Sequence, residues 1–463
     1  MKYLSTRGGA KITDFEDVLL SGLASDGGLF LPLDFPKLEV SDINNLADLT
    51  YEQLAVKIIS LYTGKLFCEE EVRNLVEDSY SQFTNEKRCP LIQMNENHFI
   101  LELFHGPTLA FKDFAMQIIS RMFDIVLNKR NKKISIITAT SGDTGSAAVE
   151  AFQNSKNANL FVLYPYKRVS ELQRMQMTTV DSPNIKIFAV KGTFDDCQAI
   201  VKNLFKDREF REEVNLAGVN SINWARILAQ IVYYFSAYIQ MKKPKNSISF
   251  SVPTGNFGDA YAGFVAKKMG LPINKIIIAT NQNDILDRLI LEGKYAKGKV
   301  HKTLSPSMDI QVASNFERLL FEALNQKSGE VVRLMNLLES KNGFILSSAT
   351  KRELERDFSS GSSNDIETLD TIRRYFRSHN ILLCPHSAIG VKVAEEHLST
   401  KDVIVSFATA HPGKFKDTVE RAVGERILLP ENLEKVLEKK EIYKVVPLDN
   451  KLIASEIRKE FIK

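Results

Sequence analysis

The sequence predicts an α/β protein in which mostly parallel sheets are flanked by helices, with a helical region ahead of them. Two observations predict it. Short β-branched runs recur along the chain, each followed by a loop and a helical period, the alternation that builds parallel sheets covered on both faces. Residues 1–95 instead alternate polar turns with helix-like stretches such as TYEQLAVKIISLY, so an N-terminal helical domain is expected there.

In order, KISIITAT (133–140) reads as a strand that runs into SGDTG and then the helical SAAVEAFQ. NLFVLYP (159–165) precedes the helical RVSELQRMQM, and IKIFAV (185–190) precedes GTFDDCQAIVKNLF. ISFSVP (248–253) runs into TGNFGD and then AYAGFVAKKMG, while KIIIAT (275–280) and DVIVSFAT (402–409) read as further buried strands. Residues 281–380 are more charged and helical, with SSGSSND (359–365) expected as a mobile loop and the stretch from Glu431 onward as a charged, partly helical, solvated tail. The length of 463 residues allows two or three domains, and no internal repeat is visible.

Composition narrows the function. The 61 basic and 57 acidic residues nearly balance at +4, and no stretch concentrates Lys and Arg, so nucleic acid is not an expected partner. No apolar run approaches the roughly 18–20 residues that span a bilayer, so no membrane role is expected. The opening MKYLSTRGGAKITDFEDVLL meets acidic residues too early for a signal-peptide core. Cys68, Cys89, Cys197 and Cys384 are scattered, which reads as reduced thiols in a cytoplasmic protein. The seven histidines show no HExxH or paired spacing, so no metal is expected.

Five stretches can carry chemistry. TGNFGD (254–259) is a glycine-bracketed loop between strand and helix; its N–H groups and the helix N-terminus suit a phosphate, though it reads equally as a turn capped by Asp259. TSGDTG (140–145) repeats that arrangement, with Ser141 and Thr144 able either to hold an anion or simply to cap. In NSINWAR (220–226), Arg226 can clamp a phosphate bidentately or make a surface salt bridge; Asn220 and Ser221 read as loop or cap residues. In FATAHPGKF (407–415), Thr409 places a small hydroxyl at a strand end. In ELFHGPTLAFKDFA (102–115), Lys112 lies between Phe111 and Phe114, where desolvation lowers an amine's pKa toward nucleophilicity, although most lysines are simply solvated. A lysine with two anion loops, in a fold whose strand-end loops face one crevice, is the set that pyridoxal phosphate requires. His105 and Asp113 carry no assignment.

These motifs, together with YLSTRG and LASDGGLFLP (ending at Pro32), resemble the threonine synthase family of fold-type-II pyridoxal-phosphate enzymes over nearly the whole chain. The division that goes with the resemblance is an N-terminal domain (1–95), a large cofactor-binding domain (96–131 and 229–463) and a small substrate-binding domain (132–228). The resemblance implies that Lys112 is the covalent anchor of pyridoxal 5'-phosphate and the principal proton carrier. It implies that Gly255, Asn256, Phe257, Gly258 and Asp259 bind the cofactor phosphate and that Thr409 meets the pyridine nitrogen. Ser141 and Thr144 would hold the substrate carboxylate, and Asn220, Ser221 and Arg226 its phosphate. The implied reaction converts O-phospho-L-homoserine and water into L-threonine and phosphate by γ-elimination and β-addition of water. A related phospho-lyase or dehydratase that releases a 2-keto acid would use the same lysine and loop, whereas a catalytically silent homologue would lack them. A monomer or homodimer is expected.

Overall fold

A computed structural model of the chain describes residues 1–242, 247–399 and 402–461. The strongest apolar runs become strands buried at every position, as in Ile248–Pro253 and Val403–Ala408. Burial on both faces is what a parallel sheet between helix layers demands. These two strands lie at the centre of a six-stranded sheet, ordered Phe358–Ser362, Ile273–Thr280, Ile248–Pro253, Val403–Ala408, His98–Glu102 and Leu91–Gln93. All its neighbours pair in parallel except the last two strands. Val405 sits beside Phe250 on one side and Phe99 on the other.

A second, five-stranded sheet is wholly parallel, ordered Lys444–Val446, Ile185–Val190, Ala158–Pro165, Ile134–Ala139 and Leu216–Ala217. Two long helices lie in the shared core. In Trp224–Gln240 every residue from Trp224 to Ala237 is buried, the mark of a helix enclosed all round. Lys112–Arg130 packs against it and against the N-terminal helix Glu69–Tyr80. Among the described residues no helix is long and apolar enough to cross a membrane.

Two sequence expectations are corrected. The SSGSSND stretch is not a free loop, because Phe358–Ser362 forms the edge strand beside Ile273–Thr280. Its small residues suit that place: Ser360 Oγ donates to Asp287 at 2.6 Å, and a Cβ on Gly361 would come within 2.8 Å of Val393. The chain end is not a solvated tail either. Lys444–Val446 adds to the five-stranded sheet, and helix Asn450–Phe461 buries Ile453, Ala454 and Ile457 beside it. These residues therefore join the smaller sheet, not the larger one with which the 229–463 division grouped them. The strands Leu91–Gln93 and His98–Glu102 do not stand out in the sequence, because both are short and flanked by polar residues.

The N-terminal region is tied down by polar contacts. Strand Tyr3–Ser5 pairs antiparallel with Phe30–Pro32, and Arg7 makes a two-point ion pair with the buried Glu317, which also accepts from Thr6.

Candidate active site

Four strands of the two sheets end in loops that lead straight into helical turns: Ile134–Ala139 into Asp143–Phe152, Ile248–Pro253 into Gly258–Lys268, Val403–Ala408 into Pro412–Phe415, and His98–Glu102, after a longer loop, into Lys112–Arg130. Lys112 is the first residue of its helix, with its side chain 11 % exposed. Its Nζ lies over the Phe111 ring, 5.3 Å from the centroid, and reaches Asp143 Oδ2 at 3.3 Å. Phe114 does not flank it; that ring is fully buried among Tyr51, Tyr80 and Phe83, because positions two apart on a helix face different ways.

Asp143 joins two amines. Its Oδ1 meets Lys414 Nζ at 3.0 Å and accepts from Gln173 Nε2 at 3.0 Å, while Oδ2 faces Lys112. Lys414 has no exposed side-chain surface and also donates to the Thr108 carbonyl at 2.7 Å. Burial opposes ionisation of Asp143, but Lys414, Lys112 and His386 outweigh it and hold the carboxyl well below the usual range. Burial pulls the Lys112 amine below its ordinary pKa; Asp143 works against that shift, and Lys414 and Arg226 add to it.

The backbone around Lys112 is pinned. The Phe111 N–H donates to Thr409 O at 2.8 Å and the His411 N–H to Leu109 O at 3.0 Å, so the two loops zip together at Ala110 and Ala410. Asp113 accepts from Thr108 N–H (2.9 Å) and Oγ (2.6 Å) and closes the turn before the helix. A Cβ on Gly106 would lie 2.6 Å from Asp113, which leaves room only for glycine. Burial pushes the Asp113 carboxyl up to about 6. His105 pairs with Glu102 at 2.8 Å.

In TSGDTG, Thr140 Oγ accepts from the Gly142 and Gly145 N–H groups at 3.0 and 2.9 Å and sets the turn. Gly142 adopts φ 144°, and a Cβ there would strike Gln173 at 2.7 Å. Ser141 and Thr144 are half-buried, with hydroxyls that make no hydrogen bond among the described residues.

TGNFGD departs from the simple capping reading. The helix starts at Gly258 after Phe257 in the left-handed region (φ 64°), so Asp259 lies inside the first turn. Asp259 accepts from Thr254 Oγ and from Ala260 N–H, and burial pushes its carboxyl up to about 6. The far side of the loop rests on residues 307–315. Asn256 O accepts from Asn315 N–H (3.0 Å), and Asn256 Oδ1 accepts from Ser314 Oγ (2.9 Å). A Cβ on Gly255 would come within 3.1 Å of Met308 Cα. Part of the 281–380 region thus buttresses this loop, itself held by Asp309 accepting from Thr303, Asn281 and Asn283.

Arg226 is not a surface residue. It is 3 % exposed, its Nη1 makes one long contact to Val219 O (3.4 Å), and its Nε is buried without a partner. Burial pushes the guanidinium down to about 10, with Asp259 the main opposing charge. Ser221 Oγ sits 3.0 Å from Ser314 Oγ, next to Asn256. Asn220 is exposed, and its carbonyl accepts from the Asn223 N–H. Thr409 is 5 % exposed; its main-chain N–H donates to Ser387 Oγ at 3.1 Å and its carbonyl takes the Phe111 N–H, which leaves the hydroxyl uncommitted among the described residues.

Sequence reasoning missed Asp143, Lys414 and Gln173. The first two stand inside TSGDTG and FATAHPGKF, but nothing local says that they meet. Together the residues fit a phosphate-bearing carbonyl cofactor: a buried amine and a glycine loop where a Cβ on Gly255 would press on Met308 and Ser307 at 3.1 Å, with the orphaned guanidinium donor of Arg226 left for a second anion.

Comparison with known proteins gives concordant matches. The profile described as threonine synthase N terminus matches residues 2–80, that described as pyridoxal-phosphate dependent enzyme residues 85–354, and that described as threonine synthase, C-terminal, residues 387–457. A threonine synthase of Pseudomonas aeruginosa is 45% identical over 449 residues, 96% of each chain. A structure of PLP-bound threonine synthase from Brucella melitensis superposes with a TM-score of 0.97 at 46% identity, covering 100% of both chains. The yeast threonine synthase structure has a TM-score of 0.94 at 39% identity, covering 100% of this chain and 99% of its own.

Proposed function

The chain belongs to the threonine synthase family of pyridoxal-phosphate-dependent enzymes, and we propose that it carries out that family's reaction around Lys112. The enzyme converts O-phospho-L-homoserine and water into L-threonine and phosphate, the last step of threonine biosynthesis, with pyridoxal 5'-phosphate as cofactor. The observation that carries the residue assignment is the buried Lys112 amine, which shares one carboxylate with a second buried lysine.

Lys112 is the cofactor's covalent attachment point, and the Gly255–Asp259 loop with Asn256, Phe257 and Gly258 receives its phosphate. When bound, the cofactor supplies an electron sink next to the substrate's reacting carbons. Ser141 and Thr144, whose hydroxyls are uncommitted, hold the substrate carboxylate at the N-terminus of helix Asp143–Phe152. Arg226, with Asn220 and Ser221, holds the substrate phosphate until it leaves Cγ; the unpartnered Nε supports that role, since a buried donor without an acceptor is costly. Lys112, with its lowered pKa, takes the Cα proton and moves protons at Cβ before water adds there. Thr409 is a neutral partner for the ring nitrogen and does not stabilise a positive ring as a carboxylate would. The reading goes with a cytoplasmic enzyme, monomer or homodimer, acting on a small molecule without nucleic acid.

The test is product analysis with phosphohomoserine as substrate. Threonine and phosphate in equal amounts are expected; a 2-keto acid in place of threonine marks a phospho-lyase instead. Borohydride treatment followed by peptide mapping is expected to fix the cofactor on Lys112. Lys112→Ala is expected to lose that label and to lower turnover by several orders of magnitude. Wild-type turnover in Lys112→Ala overturns the assignment.

A further inference from the structure

Lys414 lies in a 3₁₀ turn beyond strand Val403–Ala408, with its side chain wholly buried. A buried ammonium needs a counter-charge and acceptors to be tolerated. Lys414 has both: Asp143 Oδ1 at 3.0 Å and the Thr108 carbonyl at 2.7 Å. Lys112 has only the second oxygen of the same carboxylate, at 3.3 Å, and remains 11 % exposed. One negative charge thus faces two amines, and geometry favours Lys414 for the permanent claim on it. We propose that Lys414 is a positioning residue that stays charged as the fixed counter-ion of Asp143, so that the carboxylate is satisfied without Lys112 and the Lys112 amine is left neutral and free to carry protons.

This rests on the reading of Lys112 as cofactor anchor and base. The other charged or titratable groups that act on Lys112 come from separate elements. Arg226 on helix Trp224–Gln240 also disfavours a cation there, and Asp259 on helix Gly258–Lys268 favours one. His386, near the start of helix Pro385–His397, is held neutral by burial, its pKa pulled down to about 4. Lys414 in turn acts on Asp113 and His411, lowering the pKa of each. Among the described residues Asp143 alone forms an ion pair with both amines, so removing Lys414 leaves Lys112 as its one remaining cationic partner beside the neutral Gln173.

The test uses cofactor-loaded enzyme in three variants. Lys414→Gln removes the charge but keeps a donor for Thr108 O; Lys414→Arg keeps the charge; Asp143→Asn removes the shared carboxylate. The readouts are the pH midpoint of the cofactor's visible absorption band and the acid limb of kcat/KM. Losing a positive neighbour favours the protonated form of the remaining nitrogen, so in Lys414→Gln both midpoints move to higher pH. The expected shift is about two pH units, the size of a unit charge about 6 Å away at an effective dielectric of about 20. Lys414→Arg stays near wild type, and Asp143→Asn moves both midpoints to lower pH. A slower Lys414→Gln enzyme with unshifted midpoints makes Lys414 a mere brace for the Thr108 turn and overturns the proposal. If Lys414→Gln does not fold, an unshifted or raised midpoint in Asp143→Asn overturns it from the other side of the pair. Borohydride mapping separates the two readings, since a label away from Lys112 rejects the anchor assignment whatever the midpoints do.

Discussion

In Arg226→Met, a guanidinium buried in the first turn of helix Trp224–Gln240 gives way to an uncharged side chain of similar reach. The arginine is 3 % exposed, makes a single 3.4 Å contact, and leaves Nε unpartnered. Burial pushes its pKa down to about 10; at about 1.4 kcal/mol per pH unit, the ligand-free protein carries about 3 kcal/mol of unfavourable burial. That cost is present in full at neutral pH, which lies below the folded-state pKa. That cost already includes the attraction of Asp259; methionine removes it and forfeits only the Val219 contact, which leaves a net gain of about 2 kcal/mol. For a chain of this length the unfolding entropy is about 1 kcal/mol per degree, so the apparent Tm is expected to rise by about 2 °C. Catalysis moves the other way. Two charge-assisted hydrogen bonds to a phosphate, at about 1.5–3 kcal/mol each, predict a loss of about 10²–10⁴-fold in kcat/KM for phosphohomoserine. Calorimetry on ligand-free protein and steady-state kinetics with a cofactor titration measure both. With the cofactor loaded, so that its own phosphate fills the Gly255–Asp259 loop, inorganic phosphate should stabilise the wild type and leave Arg226→Met unmoved. A lower Tm in the variant, or equal losses of cofactor and substrate affinity, would refute the reasoning.

Other perturbations test the surroundings. In Gly145→Ala the new Cβ would lie 2.5 Å from both Met177 Sδ and Thr140 Cγ2; overpacking of about 1–3 kcal/mol is expected in urea unfolding, with lower kcat because the loop carries Asp143, and unchanged values of both contradict the packing. Burial pushes Asp113 and Asp259 up to about 6, so between roughly pH 4 and 6 the folded chain binds more protons than the unfolded one, and these two groups make stability fall as pH rises through that window. Asp113→Asn is expected to flatten the slope by about 2–3 kcal/mol; an unchanged urea–pH profile counts against it. Arg7→Ala strips the ion pair from buried Glu317 while Arg7 itself is 25% exposed, so a loss of about 2–3 kcal/mol is expected, and it should be largely recovered in the double variant with Glu317→Gln.

Much of the fold was legible. The strands Ile134–Ala139, Ala158–Pro165, Ile185–Val190 and Ile248–Pro253 coincide with the apolar runs within a residue or so, because a strand buried on both faces must be apolar throughout. Phe358–Ser362 reads as a loop because four of its five residues are Ser or Gly, and Lys444–Val446 reads as tail because its two valines stand alone in a charged stretch. They are strands because Ile273–Thr280 and Ile185–Val190 offer open edges to pair with. In the site, the motif loops were recognisable one by one, but the roles of residues 307–315 behind the Asn256 loop and of Asp113 beneath the Thr108 turn were not, since both depend on contacts made by folding.

The sequence by itself determined the order of strand, loop and helix, the glycines that keep TSGDTG and TGNFGD tight, and which lysine stands at the start of a helix. These are local properties, set by a few neighbouring residues and their backbone freedom. Only the tertiary structure decided that Asp143 lies between Lys112 and Lys414, that Arg226 is buried with a spare donor, and that Asp259 sits inside its helix. The physical reason is that the energy of a charge depends on how much water it loses and on which opposite charge replaces that water. Both are set by the meeting of loops from different strands.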